Sequence, residues 1–256
     1  MTGQGGSGGV LAGKVAFITG GSRGIGRATA LMFAEAGADI GICHLGDADH
    51  AATLVQAVTA RGRRAFAMEV DVADTAATRA FAAAAEAALG PCDILVNNAG
   101  INIRGPFEEL TEEVFDRVMD VHVKGMVFMA RAVYPGMVAR GRGKIINISS
   151  QLAIKGGPNI VPYVTAKGAI WGFTKALAWE ATRKGVLVNA IAPGPIETDL
   201  TRSRGPEWKR AMEESLPAGR LGRPEEIAAT ALLLAGPGGD YYVGALLSPN
   251  GGDVMY

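Results

Sequence analysis

Tyr163 and Lys167 stand four positions apart, and Ser150 lies thirteen positions before the tyrosine. The run from 163 to 184 has no internal proline and repeats its apolar residues at helical spacing, which predicts a helix. Residues i and i+4 share a helix face, so the phenol and the ammonium project to the same side. A free tyrosine ionises near about 10 and is a poor base at neutral pH. A neighbouring cation favours the phenolate and lowers that value, so the pair could move a proton on or off an alcohol oxygen. The same spacing also fits an ordinary amphipathic helix. The pair alone does not choose between the two.

The elements that would position it repeat a simple pattern. KVAFIT (14–19) reads as a buried strand that runs into TGGSRGIG (19–26) and then into a helix with an apolar stripe at Ile25, Ala28, Thr29, Met32, Phe33 and Ala36. Strand, glycine turn and helix together present bare N–H groups and a helix N-terminus to a pyrophosphate. The spacing of Gly20, Gly24 and Gly26 is G-x-x-x-G-x-G rather than G-x-G-x-x-G. Further strands are expected at 38–44, 65–72, 93–100, 144–150, 186–194 and 243–248. Helices are expected at about 50–61, 74–89, 111–139, after Pro162, and from Pro224 to near Gly236. Strict alternation predicts a single α/β domain over 11–256, a Rossmann-type doubly wound parallel sheet in three αβα layers. In such a sheet ligands bind beyond the carboxyl ends of the strands, where these turns fall together. The polar stretch 198–224 reads as an irregular segment of the kind that serves as a lid.

Composition excludes several classes of function. With 25 basic and 25 acidic residues the formal net charge is zero, which advertises neither a nucleic-acid nor a membrane surface. The 48% hydrophobic content is enough for a full core, and no apolar run reaches the ~18 residues of a membrane span. Cys43 and Cys92 form no spaced framework and are expected reduced and buried, consistent with a cytoplasmic protein. Residues 1–10 are glycine-rich and read as a flexible tail. His44, Asp47, Asp49 and His50 match no closed metal-site spacing, so no metal is expected and the aspartates are read as helix caps.

Taken jointly, TGGSRGIG, Asp71-Val72, Asn97-Asn98-Ala99-Gly100, Ser150, Tyr163-x-x-x-Lys167 and Pro193-Gly194-x-Ile196-x-Thr198 resemble the short-chain dehydrogenase/reductases over about 11–253, and most closely the 3-oxoacyl-[acyl-carrier-protein] reductases. The resemblance implies Tyr163 as acid/base, Lys167 as the group that lowers its pKa and holds the nicotinamide ribose, and Ser150 as the orienter of the substrate oxygen. It also implies a cofactor site made of Gly20, Ser22, Arg23, Gly24, Ile25 and Gly26 in the glycine turn, and His44 and Leu45 at the end of the second strand. Asp71 and Val72 would flank the adenine, and Asn98, Ala99 and Gly100 the ribose. Pro193, Gly194, Ile196 and Thr198 would bracket the nicotinamide. A homotetramer is implied too, through the helix around 118–140 and the Tyr163 helix.

One position departs from the family pattern. Where relatives carry an asparagine in a V-N-x-x-G context as part of a proton relay behind the lysine, this chain has His122, in Val121-His122-Val123-Lys124-Gly125. Histidine can donate and accept, so it can substitute in the relay, or it can be a packed ring with one satisfied nitrogen. The end of the second strand carries His44 rather than the acidic residue that takes ribose hydroxyls. Arg23 could meet a 2′-phosphate with help from Ser22, so NADP(H) is favoured, while NAD(H) stays open because Asp47 is close by. Gln151, Ile154, Pro158, Val161, Pro195 and Trp208 are expected around the substrate, and their apolar character suits a ketone or acyl chain. Basic residues including Arg140, Arg142, Lys184, Arg202, Arg204 and Lys209 fit either a carrier-protein surface or ordinary solvation.

The expected function is hydride transfer between NADP(H) or NAD(H) and a ketone or secondary alcohol, a 3-oxoacyl thioester among the candidates. A polyol or sugar dehydrogenase is the alternative within the class, and a catalytically silent cofactor-sensing protein the alternative outside it.

Overall fold

The computed structural model describes residues 9–255, without the side chain of Leu200. The expected tail at 1–10 lies almost wholly outside them. Seven strands form one parallel sheet: β1 (Val15–Thr19), β2 (Asp39–His44), β3 (Ala65–Glu69), β4 (Ile94–Asn97), β5 (Gly143–Ile148), β6 (Val186–Ile191) and β7 (Leu246–Leu247). Their spatial order is β3-β2-β1-β4-β5-β6-β7, so the direction of winding reverses between β1 and β4. Successive side chains on a strand point to opposite faces. Ala16 and Ile18 of β1 therefore join a core with Phe33, Leu54 and Ile227, while Val15 and Phe17 join a second core with Phe81, Met129 and Val188. Both faces must be covered, and they are. Helices α1 (Gly24–Glu35), α2 (Ala48–Thr59) and, late in the chain, Pro224–Ala235 lie on the first core; α3 (Thr75–Leu89) and the helices Gly125–Ala139 and Val161–Ala181 lie on the second.

The long helix expected at 111–139 is present as α4 (Glu112–Met119) and α5 (Gly125–Ala139), joined without a break by a π-helical turn at Asp120–Lys124. Such a turn carries one extra residue and often marks a functional site; here it holds His122. After β5 come the short α6 (Leu152–Lys155) and then α7 (Val161–Ala181), whose Pro162 sits in the first turn, where a missing N–H costs nothing. The strand expected at 65–72 stops at Glu69, because the Val70 amide makes one last bond to His44 O and the Asp71 carboxylate then accepts the Ala73 amide to turn the chain.

The stretch 198–224 is not irregular throughout. It contains α8 (Asp199–Arg202) and α9 (Gly205–Ser215), with α10 (Pro224–Ala235) following. Thr198 caps α8 in a reciprocal box with Thr201, and Pro206 sits in the first turn of α9. Glycine and proline at the start of α9 hid its periodicity, and α8 is too short to show one. No helix among the described residues is long and apolar enough to cross a membrane.

Candidate active site

Ser150, Tyr163 and Lys167 meet at the carboxyl end of β5. Ser149 Oγ donates to Lys167 O at 2.8 Å and Lys167 Nζ donates to Ile148 O at 2.7 Å, so α7 is bolted to the strand through the turn that carries Lys167. Ser150 Oγ accepts the Leu152 amide at 3.1 Å and lines the same cleft as Tyr163. Lys167 Nζ lies 5.5 Å from the Tyr163 ring centroid. Burial brings the Lys167 ammonium down to about 7. Burial also raises Tyr163, opposed by the Ser150 hydrogen bond. The expectation had Lys167 lowering the phenol. In the structure desolvation acts more strongly on both groups than their mutual attraction, and Ser150 is the side chain that favours the phenolate.

His122 is 2% exposed, and its ring meets the Tyr163 ring edge-on at 5.5 Å between centroids. Nε2 lies 3.0 Å from the Ile101 amide and 2.7 Å from the Ile101 carbonyl, so it accepts from the first in one tautomer and donates to the second in the other. Nδ1 has no hydrogen-bond partner. Burial, with repulsion from Lys167 second, pushes the ring down to about 3, so it is neutral at pH 7. His122 ties the π-helical turn to the loop after β4, and the Lys167 ammonium bonds to Ile148 O. A Cβ at Gly100 would come within 2.4 Å of His122 Cε1, so a wider ring is accommodated only because the loop carries glycine there.

A cleft of about 850 Å³ runs from the glycine turn to α9. At one end Gly20 and Gly24 take φ of 61° and 51°, in the left-handed region. A Cβ at Gly26 would lie 2.3 Å from Gly20 O, so α1 starts hard against the turn. Asn98 Nδ2 donates to Thr19 O at 3.0 Å and to Gly20 O at 2.9 Å, while Thr19 Oγ1 accepts the amides of Asn98 and Ala99. The β1 and β4 turns are thereby one rigid edge. Amides at a helix N-terminus, a backbone that only glycine allows, and an elongated cleft reaching Tyr163 suit a dinucleotide. Gly20, Arg23, Gly24, Ile25, Asn98, Ala99, Gly100, Tyr163, Lys167, Pro193, Gly194, Ile196 and Thr198 all line it, as do Ser150, Gln151, Pro195 and Trp208.

Ser22, Gly26, His44, Leu45, Asp71 and Val72 lie off its lining. His44 is buried, Leu45 is exposed, and Val72 packs beneath Gly125. Burial alone would raise Asp71, but the Ala73 amide and Arg117, at 2.9 Å, hold it below the usual carboxylate range. Asp47 is likewise raised by burial and lowered further by the Ser22 hydroxyl, Arg23 at 2.8 Å and His50 at 2.8 Å. Of the residues expected near the substrate, Ile154 and Val161 do not line the cleft, whereas Leu152 and Lys155 do. Leu152 and Lys155, three apart on α6, share the cleft-facing side and Ile154 turns off it. Arg104, Met212 and Asp253 also line the cleft without having been singled out, and Arg204 had been read only as a surface charge. Trp208 and Met212 are i, i+4 on α9, a spacing legible once that helix is recognised.

The profile of the short chain dehydrogenase family matches residues 14–209. A 3-oxoacyl-[acyl-carrier-protein] reductase of Vibrio cholerae is 37% identical over 245 residues, 96% of this chain and 99% of that one. Nodulation protein G of Azospirillum brasilense is 39% identical over 239 residues, covering 93% of this chain and 97% of that protein. Among solved structures, a blue fluorescent protein from a metagenomic library, in complex with NADPH, superposes with a TM-score of 0.91 at 40% identity, covering 96% of this chain and 99% of that one. The parallel sheet flanked by helices agrees with those likenesses, and the chain belongs to the short-chain dehydrogenases, a family of nicotinamide-dependent oxidoreductases.

Proposed function

We propose that residues 11–256 act as one domain that catalyses hydride exchange between NADP(H) and a ketone or secondary alcohol, with 3-oxoacyl thioesters the first substrates to try. The observation that carries this is the gathering of Ser150, Tyr163 and Lys167 in the same cleft as the glycine turn. When bound, the nicotinamide supplies or accepts the hydride. The protein orients the carbonyl and handles one proton. A phenol that burial keeps protonated is in the form needed to give its proton to the carbonyl oxygen during reduction. Ser150 can donate to that same oxygen. In the reverse direction the Ser150 hydroxyl stabilises the phenolate that takes the alcohol proton.

The choice of NADP(H) rests on Asp47 and Arg23. Asp47 is the first carboxylate after β2, and Ser22, Arg23 and His50 already occupy it, so a ribose diol would have to displace them. Asp47 holds Arg23 through Nε, which leaves the guanidinium braced at the cleft edge, where a 2′-phosphate suits it. The reductases of this type among the relatives, and the neighbour in complex with NADPH, support the same reading. A homotetramer is part of the proposal: α7 leaves Trp179 88% exposed, and Tyr241 is 99% exposed, apolar area that a second subunit would cover. The two free buried cysteines suit a cytoplasmic setting.

Tyr163→Phe tests the assignment. Turnover of a ketone with NADPH should fall at least about a hundredfold while NADPH binding stays near wild type, because the ring still packs but carries no proton. A variant that keeps more than about a hundredth of the wild-type rate removes Tyr163 from the role.

A further inference from the structure

The cations that line the cleft are not equally provided for. Arg23 is held by Asp47, and Lys155 by Asp253 at 2.5 Å. Lys167 donates to Ile148 O. Arg104 and Arg204 are different. Among the described residues no carboxylate lies within ion-pair distance of either. Arg104 follows the β4 turn and reaches the Pro158 carbonyl at 3.3 Å, in the loop after Ser150. Arg204 comes from the turn between α8 and α9 and lies over the Trp208 ring at 4.3 Å. Both line the cleft that also holds Ser150, Tyr163 and Lys167, the reaction centre of the reading above.

From this placement we infer that Arg104 and Arg204 form an oxyanion subsite that takes a carboxylate or phosphate carried by the carbonyl substrate itself. Two guanidiniums that line one cavity with no ion-pair partner of their own repel each other, and a bound anion turns that repulsion into two attractions. Burial lowers Arg204 and the positive field of Arg104 lowers it further, which shows that the two charges feel each other. Stacking on Trp208 fixes the plane of the Arg204 guanidinium, so its N–H edge is set before the anion arrives. Substrate loop and lid helices would then close on the same group, since Arg104 is tied to Pro158 and Gly105 N to Asn159 O on one side and Arg204 leads into α9 on the other. The subsite presupposes the dehydrogenase reading, and the experiment separates the two.

The probes are a series of short oxo acids, each paired with its methyl ester, and a 3-oxoacyl thioester of phosphopantetheine paired with that of N-acetylcysteamine. The wild type should favour the charged member of at least one pair by at least about tenfold in kcat/KM, the scale of one charge-assisted hydrogen bond. In Arg104→Gln/Arg204→Gln that ratio should fall below about threefold, and Arg204→Glu should favour the neutral member. The pair that responds tells whether the anion is a carboxylate or a phosphate. Equal use of charged and neutral members by the wild type, or a preference that survives the double substitution, overturns the subsite. Trp208 gives a second readout that needs no hydride transfer: its fluorescence should respond to the charged probes at lower concentration than to the neutral ones. Charge-selective binding without turnover faults the dehydrogenase reading and keeps the subsite. Turnover indifferent to charge does the reverse.

Discussion

Replacing His122 by asparagine removes a base that the fold keeps unprotonated, and the consequence can be worked out before any measurement. In the unfolded chain an imidazole titrates near about 6.5. In the folded protein, burial and then Lys167 bring it down to about 3. A folded-state value below the unfolded one means that stability is present at neutral pH and drains away as pH falls through the unfolded value, down to about 3, because the unfolded state binds the extra proton. At pH 5 the folded ring is still neutral while the unfolded ring is almost fully charged. Between pH 7 and pH 5 this one group therefore costs about 2 kcal/mol of stability. Asparagine has no such titration. It also offers an amide donor and an acceptor at once to the Ile101 carbonyl and N–H, between which Nε2 must choose. Urea unfolding at pH 7 and pH 5, at one fixed protein concentration, should show the wild type losing about 2 kcal/mol more than His122→Asn. Carboxylates elsewhere titrate alike in both proteins and cancel in the difference. Losses that agree to within about 0.5 kcal/mol refute the buried neutral histidine. With one good ketone, His122→Asn should also keep turnover within about tenfold, and His122→Leu, which can bond to neither Ile101 group, should lose more. Equal tolerance of the two makes the ring packing alone.

Arg23→Ala should raise the Michaelis constant for NADPH at least about tenfold and leave that for NADH nearly unchanged; equal effects on both, or a wild type that prefers NADH, count against the 2′-phosphate role. Gly100→Ala puts a methyl group within 2.4 Å of His122 Cε1, so it should cost about 1–3 kcal/mol in thermal or urea unfolding, and adding His122→Ala should recover part of that loss. Additive losses would show that the two residues do not touch. Sedimentation at micromolar protein should find a homotetramer, and a monomer under those conditions removes the role given to the exposed faces around Trp179 and Tyr241.

The alternation of short apolar runs with helical stripes was enough to place seven strands and the main helices, because a sheet buried on both faces demands continuous apolar strands whatever their neighbours are. The Tyr163–Lys167 pair and the glycine turn were legible for the same local reason: a four-residue spacing and a left-handed turn are properties of adjacent residues. What crosses from one element to another was not. Helix α8 is only four residues long, too short to show a period, and α9 looked irregular because Gly205 and Pro206, read along the chain, signal a break, whereas in the fold they start a helix. Asp47 looked like a candidate for a ribose until the fold gave it Ser22, Arg23 and His50 as partners. The motif around His122 did not show that the π-helical turn sets its ring against Ile101 and under Gly100, a residue 22 positions earlier in the chain. Arg104 and Arg204 stand a hundred residues apart in loops whose sequences carry no motif. Their meeting depends on where the β4 turn and the α8–α9 turn end in space, and a charge becomes a binding group only when the fold decides which partner it is denied.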